Sequence, residues 1–125
     1  MKKTILICGA TGFIGKNLLF FFYKQKKYKI KATYFKTLPL KNFQKNVEWI
    51  KADLRKISDV KKSFKNVDIV LQFAATTSGA ADIINRPYIH VTDNVVMNSL
   101  ILKTVYDLRI KNFILDLVKE EWLCF

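Results

Sequence analysis

The run Gly9-Ala10-Thr11-Gly12-Phe13-Ile14-Gly15 joins two stretches of different character. Before it, Thr4-Ile5-Leu6-Ile7-Cys8 is a short apolar run of strand length. After it, residues 13–23 carry an apolar helical pattern. A strand, a tight glycine turn and a helix N-terminus in that order form a site suited to a nucleotide pyrophosphate. Gly9 is expected to let the chain leave the strand, and Gly12 to let backbone come close to phosphate oxygens. Gly15 is expected to let the helix pack on the sheet. First-turn amides and the positive end of the helix dipole then face the anion.

At 125 residues the chain is read as a single domain, 1–125. Half of it is apolar, enough for a modest core, and no apolar run is long enough to span a bilayer. Met1-Lys2-Lys3 precedes a short apolar stretch, but the glycine run interrupts that stretch and no small-residue cleavage site follows. A cytoplasmic location and no membrane partner are therefore expected. The formal charge is +12, yet the lysines are scattered and no nucleic-acid motif accompanies them. The charge is read as a solvated surface, with no nucleic-acid partner. The cluster Lys24-Gln25-Lys26-Lys27 falls at the end of the first helix, where cations suit the dipole. Cys8 and Cys124 have no metal-ligand spacing and are read as free thiols, with no metal site expected. Lone His90 is read as a packing or surface residue.

The rest of the chain alternates strands and helices. Residues 28–35 alternate Ile30, Ala32 and Tyr34 with Lys29, Lys31 and Thr33, a strand pattern that Thr37-Leu38-Pro39 ends. Val47-Glu48-Trp49-Ile50 reads as a third strand, and Ser58 as the cap of a short helix to about residue 64. Asp68-Ile69-Val70-Leu71-Gln72-Phe73 is nearly continuous in apolar character, as in a strand covered on both faces. Thr76-Thr77-Ser78-Gly79 is loop chemistry. Residues 87–108 read as one long helix with Pro87 in its first turn. Val91, Val95, Leu102 and Val105 form its apolar stripe, widened by Leu100, Ile101 and Leu108. Phe113-Ile114-Leu115 begins a fifth strand. This order predicts an α/β fold with a parallel sheet and any ligand along the strand C-termini.

The Gly9–Gly15 segment resembles the signature of the NAD(P)-dependent epimerase/dehydratase family, the extended short-chain dehydrogenase/reductases that act on nucleotide sugars. The resemblance implies a Rossmann-like parallel sheet with flanking helices, NAD or NADP as cofactor, and Gly9, Thr11, Gly12, Phe13, Ile14 and Gly15 around the pyrophosphate. It places Asp53 and Leu54 at the adenine, Asp53 accepting from the exocyclic amine and Leu54 packing on the ring. Ala74, Ala75 and Thr76 fall beside the pyrophosphate and nicotinamide ribose. Gln72 stands where family members often carry histidine. The stretch 74–98 is closest in pattern to the GDP-fucose synthase-like branch, and Asn98 falls where that family places an inward asparagine. A solvent-facing or carbonyl-bonded Asn98 is the alternative. No acid ends the second strand to hold a ribose 2′-hydroxyl; the segment is Tyr34-Phe35-Lys36-Thr37, and Lys36 leans toward a 2′-phosphate and NADP(H), with Lys31 less well placed.

The family's proton chemistry uses a serine or threonine and a Tyr-x-x-x-Lys pair, because a free tyrosine titrates near ~10 and needs a cation beside it. The only such spacing here is Tyr23…Lys27, on the first helix and not accepted as a catalytic pair. No catalytic residue is therefore assigned. The resemblance breaks off near Leu115, and a fold truncated after its fifth strand, through gene truncation or a frame change, is the expectation. Val95 and Leu102 are then expected to expose an apolar stripe, and a homodimer through 87–108 follows as an expectation. Three functions remain open: the cofactor-binding portion of a nucleotide-sugar epimerase, dehydratase or reductase, inactive alone; a non-catalytic NADP(H)-binding or sensing module; and a subunit completed by another chain. The nucleotide-sugar substrate is expected only in an intact homologue.

Overall fold

A computed structural model describes residues 1–39, 41–43, 45–76 and 80–116. Thr77, Ser78, Gly79 and Cys124 lie outside the described residues. Five parallel strands form one sheet in the order β3-β2-β1-β4-β5. They are β1 (Thr4–Cys8), β2 (Lys29–Tyr34), β3 (Val47–Lys51), β4 (Ile69–Gln72) and β5 (Asn112–Leu115). The helices are α1 (Phe13–Gln25), α2 (Ile57–Ser63), α3 (Ala80–Asn85) and α4 (Tyr88–Asp107).

β1 lies in the middle, paired with β2 through Ile5↔Ile30 and with β4 through Ile5↔Ile69. Its side chains alternate between two cores, as the strand period requires. Ile5 and Ile7 pack with Leu19, Ala32, Phe43 and Leu71 on the α1 side. Leu6 and Cys8 pack with Val60, Phe64, Met97 and Ile101 on the α2 and α4 side. A strand covered on both faces needs apolar residues at every position, which explains the uninterrupted run at 5–8. The chain winds from β1 out to β3, then crosses back to β4 on the other side of β1. That reversal opens a crevice at the C-terminal ends of β1 and β4.

Several local expectations shift. α1 runs two residues further than its periodicity indicates and stops at Lys26, whose φ of 51° breaks the helix. Lys24 lies over the Phe20 ring at 4.1 Å, so the basic cluster does close this helix end. Ser58 does not cap α2. The helix begins two residues earlier, at Ile57, with Lys56 at its cap and no capping side chain. Asp59, in the first turn, instead accepts the backbone N–H of Asp53 at 2.8 Å. The core face of α4 is Asn94, Met97, Ile101, Thr104 and Val105, while Val95 is 52% and Leu102 48% exposed. Ile101 and Val105 of the expected stripe thus face the core, whereas Val95 and Leu102 are exposed, as expected of a helix face without a partner. α3, between Thr76 and Pro87, carries no periodic signal in the sequence and is an addition to the expected elements. No helix among the described residues is long and apolar enough to cross a membrane.

Candidate functional site

The crevice is a cleft of about 570 Å³ built from the loops that follow the first four strands. Gly9, Thr11, Gly12 and Phe13 come from the β1–α1 turn; Thr33 to Thr37 come from the end of β2. Ala52 to Arg55 follow β3, Phe73 to Thr76 follow β4, and Met97 reaches in from α4.

The glycine turn is shaped by backbone contacts. Gly9 sits at φ +74°, and a Cβ there would lie 2.6 Å from Ala74 Cα. At Gly15 a Cβ would lie 2.0 Å from the Gly9 carbonyl oxygen, so the close packing of α1 on the turn excludes a side chain. Gly12 is different. Its Cβ would meet only the Gly9 oxygen at 3.4 Å, so nothing in the fold itself requires glycine there. Two ties to β2 hold the turn: Gly9 N–H donates to Thr33 Oγ1 at 3.1 Å, and Ala10 N–H donates to the Thr33 carbonyl at 3.1 Å. α1 starts at Gly12 with no side-chain cap and no acid in its first turn. Its first intrahelical bond, Lys16 N–H to Gly12 O, leaves the amides of Phe13, Ile14 and Gly15 without a carbonyl one turn back. Most helices cover such groups with Ser, Thr, Asp or Asn. Here no side chain caps them and no acid in the first turn offsets the dipole's positive end, which Phe13 brings to the cleft.

The loop after β3 is organised by charge. Arg55 grips Asp53 through Nε to Oδ1 at 2.9 Å and Nη2 to Oδ2 at 3.1 Å. Its remaining nitrogen, Nη1, donates to Asp93 on α4 at 3.0 Å. The Arg55 guanidinium holds the Asp53 carboxyl below its ordinary value, and Asp53 in turn holds Arg55 above its own. Arg55 also lies over the Phe35 ring at 5.8 Å. Both carboxylate oxygens of Asp53 thus already accept from Arg55, which the sequence reading of Asp53 as a free acceptor did not foresee.

The β4 end is organised by a buried amide. Gln72, 1% exposed, places Nε2 3.0 Å from the Ala74 carbonyl, 3.0 Å from Asn98 Oδ1 and 3.4 Å from Met97 Sδ. Ala74 N–H donates back to Gln72 Oε1 at 3.3 Å. Thr76 N–H donates to Asn94 Oδ1 at 2.8 Å, and His90 Nδ1 lies 3.3 Å from the Thr76 carbonyl. His90 is thus a packing residue that meets the loop from α4.

Of the residues singled out in the sequence, Gly9, Thr11, Gly12, Phe13, Lys36, Asp53, Leu54, Ala74, Ala75 and Thr76 line the cleft. Gly15 acts behind it as a packing position, and neither Ile14 nor Asn98 is part of the lining. Asn98 makes the bond to Gln72 instead. Lys31 points elsewhere: Nζ donates to the Lys65 carbonyl at 2.9 Å and lies 3.9 Å from Glu48. Tyr23 packs edge-on against Phe43 in the α1-side core, away from the cleft. Sequence reasoning missed Thr33, Arg55 and Asn94. Only Arg55 carried a local signal, its position two residues after Asp53.

The sequence matches the model of the NAD dependent epimerase/dehydratase family over residues 5–115. No match is found among curated proteins. Among solved structures, Pen from Bacillus thuringiensis is similar at a TM-score of 0.75 and 25% identity, with 90% of this chain and 36% of that one covered. The UDP-glucose 4-epimerase of Bifidobacterium longum, in complex with NAD+ and UDP, has a TM-score of 0.77 at 21% identity, covering 91% and 36%. That of Thermus thermophilus, in complex with NAD, has 0.72 at 19%, covering 88% and 36%. The chain therefore spans 36% of the length of each.

Proposed function

The chain belongs to the NAD dependent epimerase/dehydratase family, and from that premise we propose that its cleft binds NAD(P)(H), as the cofactor-binding portion of a nucleotide-sugar epimerase, dehydratase or reductase. The uncapped, acid-free N-terminus of α1 behind Gly12 carries this proposal. It supplies amide donors and positive potential where a pyrophosphate needs them, and Gly12 leaves room for the approach. When bound, the nicotinamide accepts or returns a hydride. The protein's part is to hold it: Gly9, Thr11, Gly12 and Phe13 around the pyrophosphate, Asp53 and Leu54 at the adenine, and Ala74 to Thr76 toward the nicotinamide ribose.

Because Arg55 occupies both Asp53 oxygens, adenine would meet that carboxylate through lone pairs Arg55 leaves open. Lys36 lines the cleft beside Phe35 and supports a preference for NADP(H). Arg55 adds little to that preference, since Asp53 and Asp93 both neutralise it. The pattern of residues 74–98 supports a GDP-sugar branch, whereas the Bifidobacterium longum neighbour carries UDP. The substrate class proposed is therefore a nucleotide sugar. The one Tyr-x-x-x-Lys spacing, Tyr23…Lys27, lies on the far side of the α1 core, so these 125 residues are proposed to have no turnover by themselves. The exposed Val95, Leu102 and Tyr106 of α4 support self-association.

Fluorescence titration with NADPH and NADH tests the site. Both are expected to bind, NADPH more tightly, and Lys36→Ala should remove that difference. Gly12→Ala should fold normally, since its Cβ has ordinary contact distances, yet lose more than about tenfold in affinity, roughly 1.4 kcal/mol. Unaltered binding by that variant would refute the assignment of the turn.

A further inference from the structure

Two loops on opposite sides of the cleft are tied to consecutive residues of one helix. Asp93 takes Arg55 Nη1 at 3.0 Å, and Arg55 in turn holds both oxygens of Asp53. Asn94 takes the Thr76 N–H at 2.8 Å. Consecutive helical residues point about 100° apart, so neighbours on α4 can address different loops. The Arg55 side chain is 38% exposed, Asp93 25% and Asp53 12%. A single exposed pair of this kind would contribute little. Here one guanidinium spans two carboxylates with three short bonds, and its fork geometry fixes the orientation of Asp53. Without Asp93, Arg55 keeps Asp53 but loses the anchor that sets where the pair sits relative to the sheet.

We propose that α4 braces the two ends of the cleft separately, Asp93 positioning the β3–α2 loop through Arg55 and Asn94 positioning the β4 loop through Thr76. Neither is a catalytic residue. Resting on the dinucleotide assignment above, this makes Asp93 govern affinity for the adenosine end and Asn94 govern affinity for what extends beyond the pyrophosphate.

The test titrates the full 125-residue chain with AMP and with NADH. Asp93→Asn should weaken AMP and NADH alike by about fivefold, in the range of a partly exposed charge network. Asn94→Leu, which removes both the acceptor of the Thr76 N–H and the donor to its carbonyl, should weaken NADH but leave AMP unchanged. Arg55→Lys, which also loses the fork on Asp53, should weaken both ligands at least as much as Asp93→Asn, and adding Asp93→Asn to it should bring no further loss, because Asp93 acts only through Arg55. Melting temperature is followed throughout. A purely structural role would lower both ligands for every variant in proportion to stability. That result, additivity of Arg55→Lys with Asp93→Asn, or unchanged AMP affinity in Asp93→Asn would overturn the brace. Should Asn94→Leu not fold, the Arg55 and Asp93 cycle decides alone. Wild-type protein that binds neither AMP nor NADH would remove the dinucleotide assignment and the brace together; wild-type binding with silent variants removes only the brace.

Discussion

At the glycine turn, geometry comes from backbone meeting backbone. Gly9 sits against Ala74 Cα, α1 packs on the Gly9 carbonyl through Gly15, and Thr33 ties the turn to β2. At the loop after β3, geometry comes from charge, with Arg55 between Asp53 and Asp93. The first kind of construction tolerates no added atom but ignores pH and salt. The second tolerates changes of shape but responds to protonation and screening. One cleft thus has a rigid end and an adjustable end.

Gly15→Ala should show the largest effect. The added methyl meets backbone at 2.0, 2.7 and 3.0 Å, and none of those atoms is a flexible side-chain tip. Circular-dichroism melting should show a loss of roughly 10 °C or more, or no cooperative transition. A stable Gly15→Ala protein would mean that the turn is not set by this packing.

Gln72→Leu asks to which kind of construction the β4 end belongs. It removes the buried amide that bonds both Ala74 and Asn98, and with it the acceptor of the Ala74 N–H. Urea unfolding should show about 2 kcal/mol of destabilisation. A neutral change would show that water substitutes freely there.

Acidification probes the charged end alone. Arg55 depresses the Asp53 carboxyl below its unfolded value. The stability this contributes is present above the unfolded value, near ~3.9, and is lost as pH falls through the folded value. AMP affinity should therefore weaken below about pH 4, and Asp53→Asn should flatten that profile. High salt should weaken AMP binding in wild-type protein by a few-fold and spare Asp93→Asn.

Cys8 should show the smallest effect, and it belongs to the rigid end. Burial pushes its thiol up to about 12, against the smaller opposing pull of the Thr33 hydroxyl. Iodoacetamide at pH 8 should leave Cys8 unlabelled in folded protein and label it in urea, as peptide mass spectrometry would read. Its contribution to stability should hold below the unfolded thiol value, near ~8.5, and decline as pH rises toward the folded one. Rapid labelling of folded protein would show that β1 opens locally at the turn.

How much was legible follows the same division. The strand-turn-helix of β1 and α1 and the alternation that makes the sheet parallel could be read from runs, glycines and turn residues, while the family resemblance pointed to Asp53, Leu54 and Ala74 to Thr76, which also line the cleft. Asn98 meets Gln72 and Asn94 meets the Thr76 N–H because the core face of α4 carries Asn94, Met97 and Ile101, a rotation set by packing against Leu6, Val70 and Phe64. The half-exposed Val95 and Leu102 satisfy helical spacing equally well, so periodicity could not choose between the two faces.

Local order determined the opening of this protein: apolar β1, three glycines at the spacing of a turn and its helix, and no residue fit to cap α1. Those features need only chemical neighbours along the chain, where backbone sterics and hydrogen-bond supply act within a few residues. Tertiary structure alone decided that Arg55 would meet Asp93, 38 residues away, and that Thr76 would meet Asn94, 18 away. Those pairings depend on how α4 rotates against the sheet, and that rotation is a property of the whole core rather than of any segment.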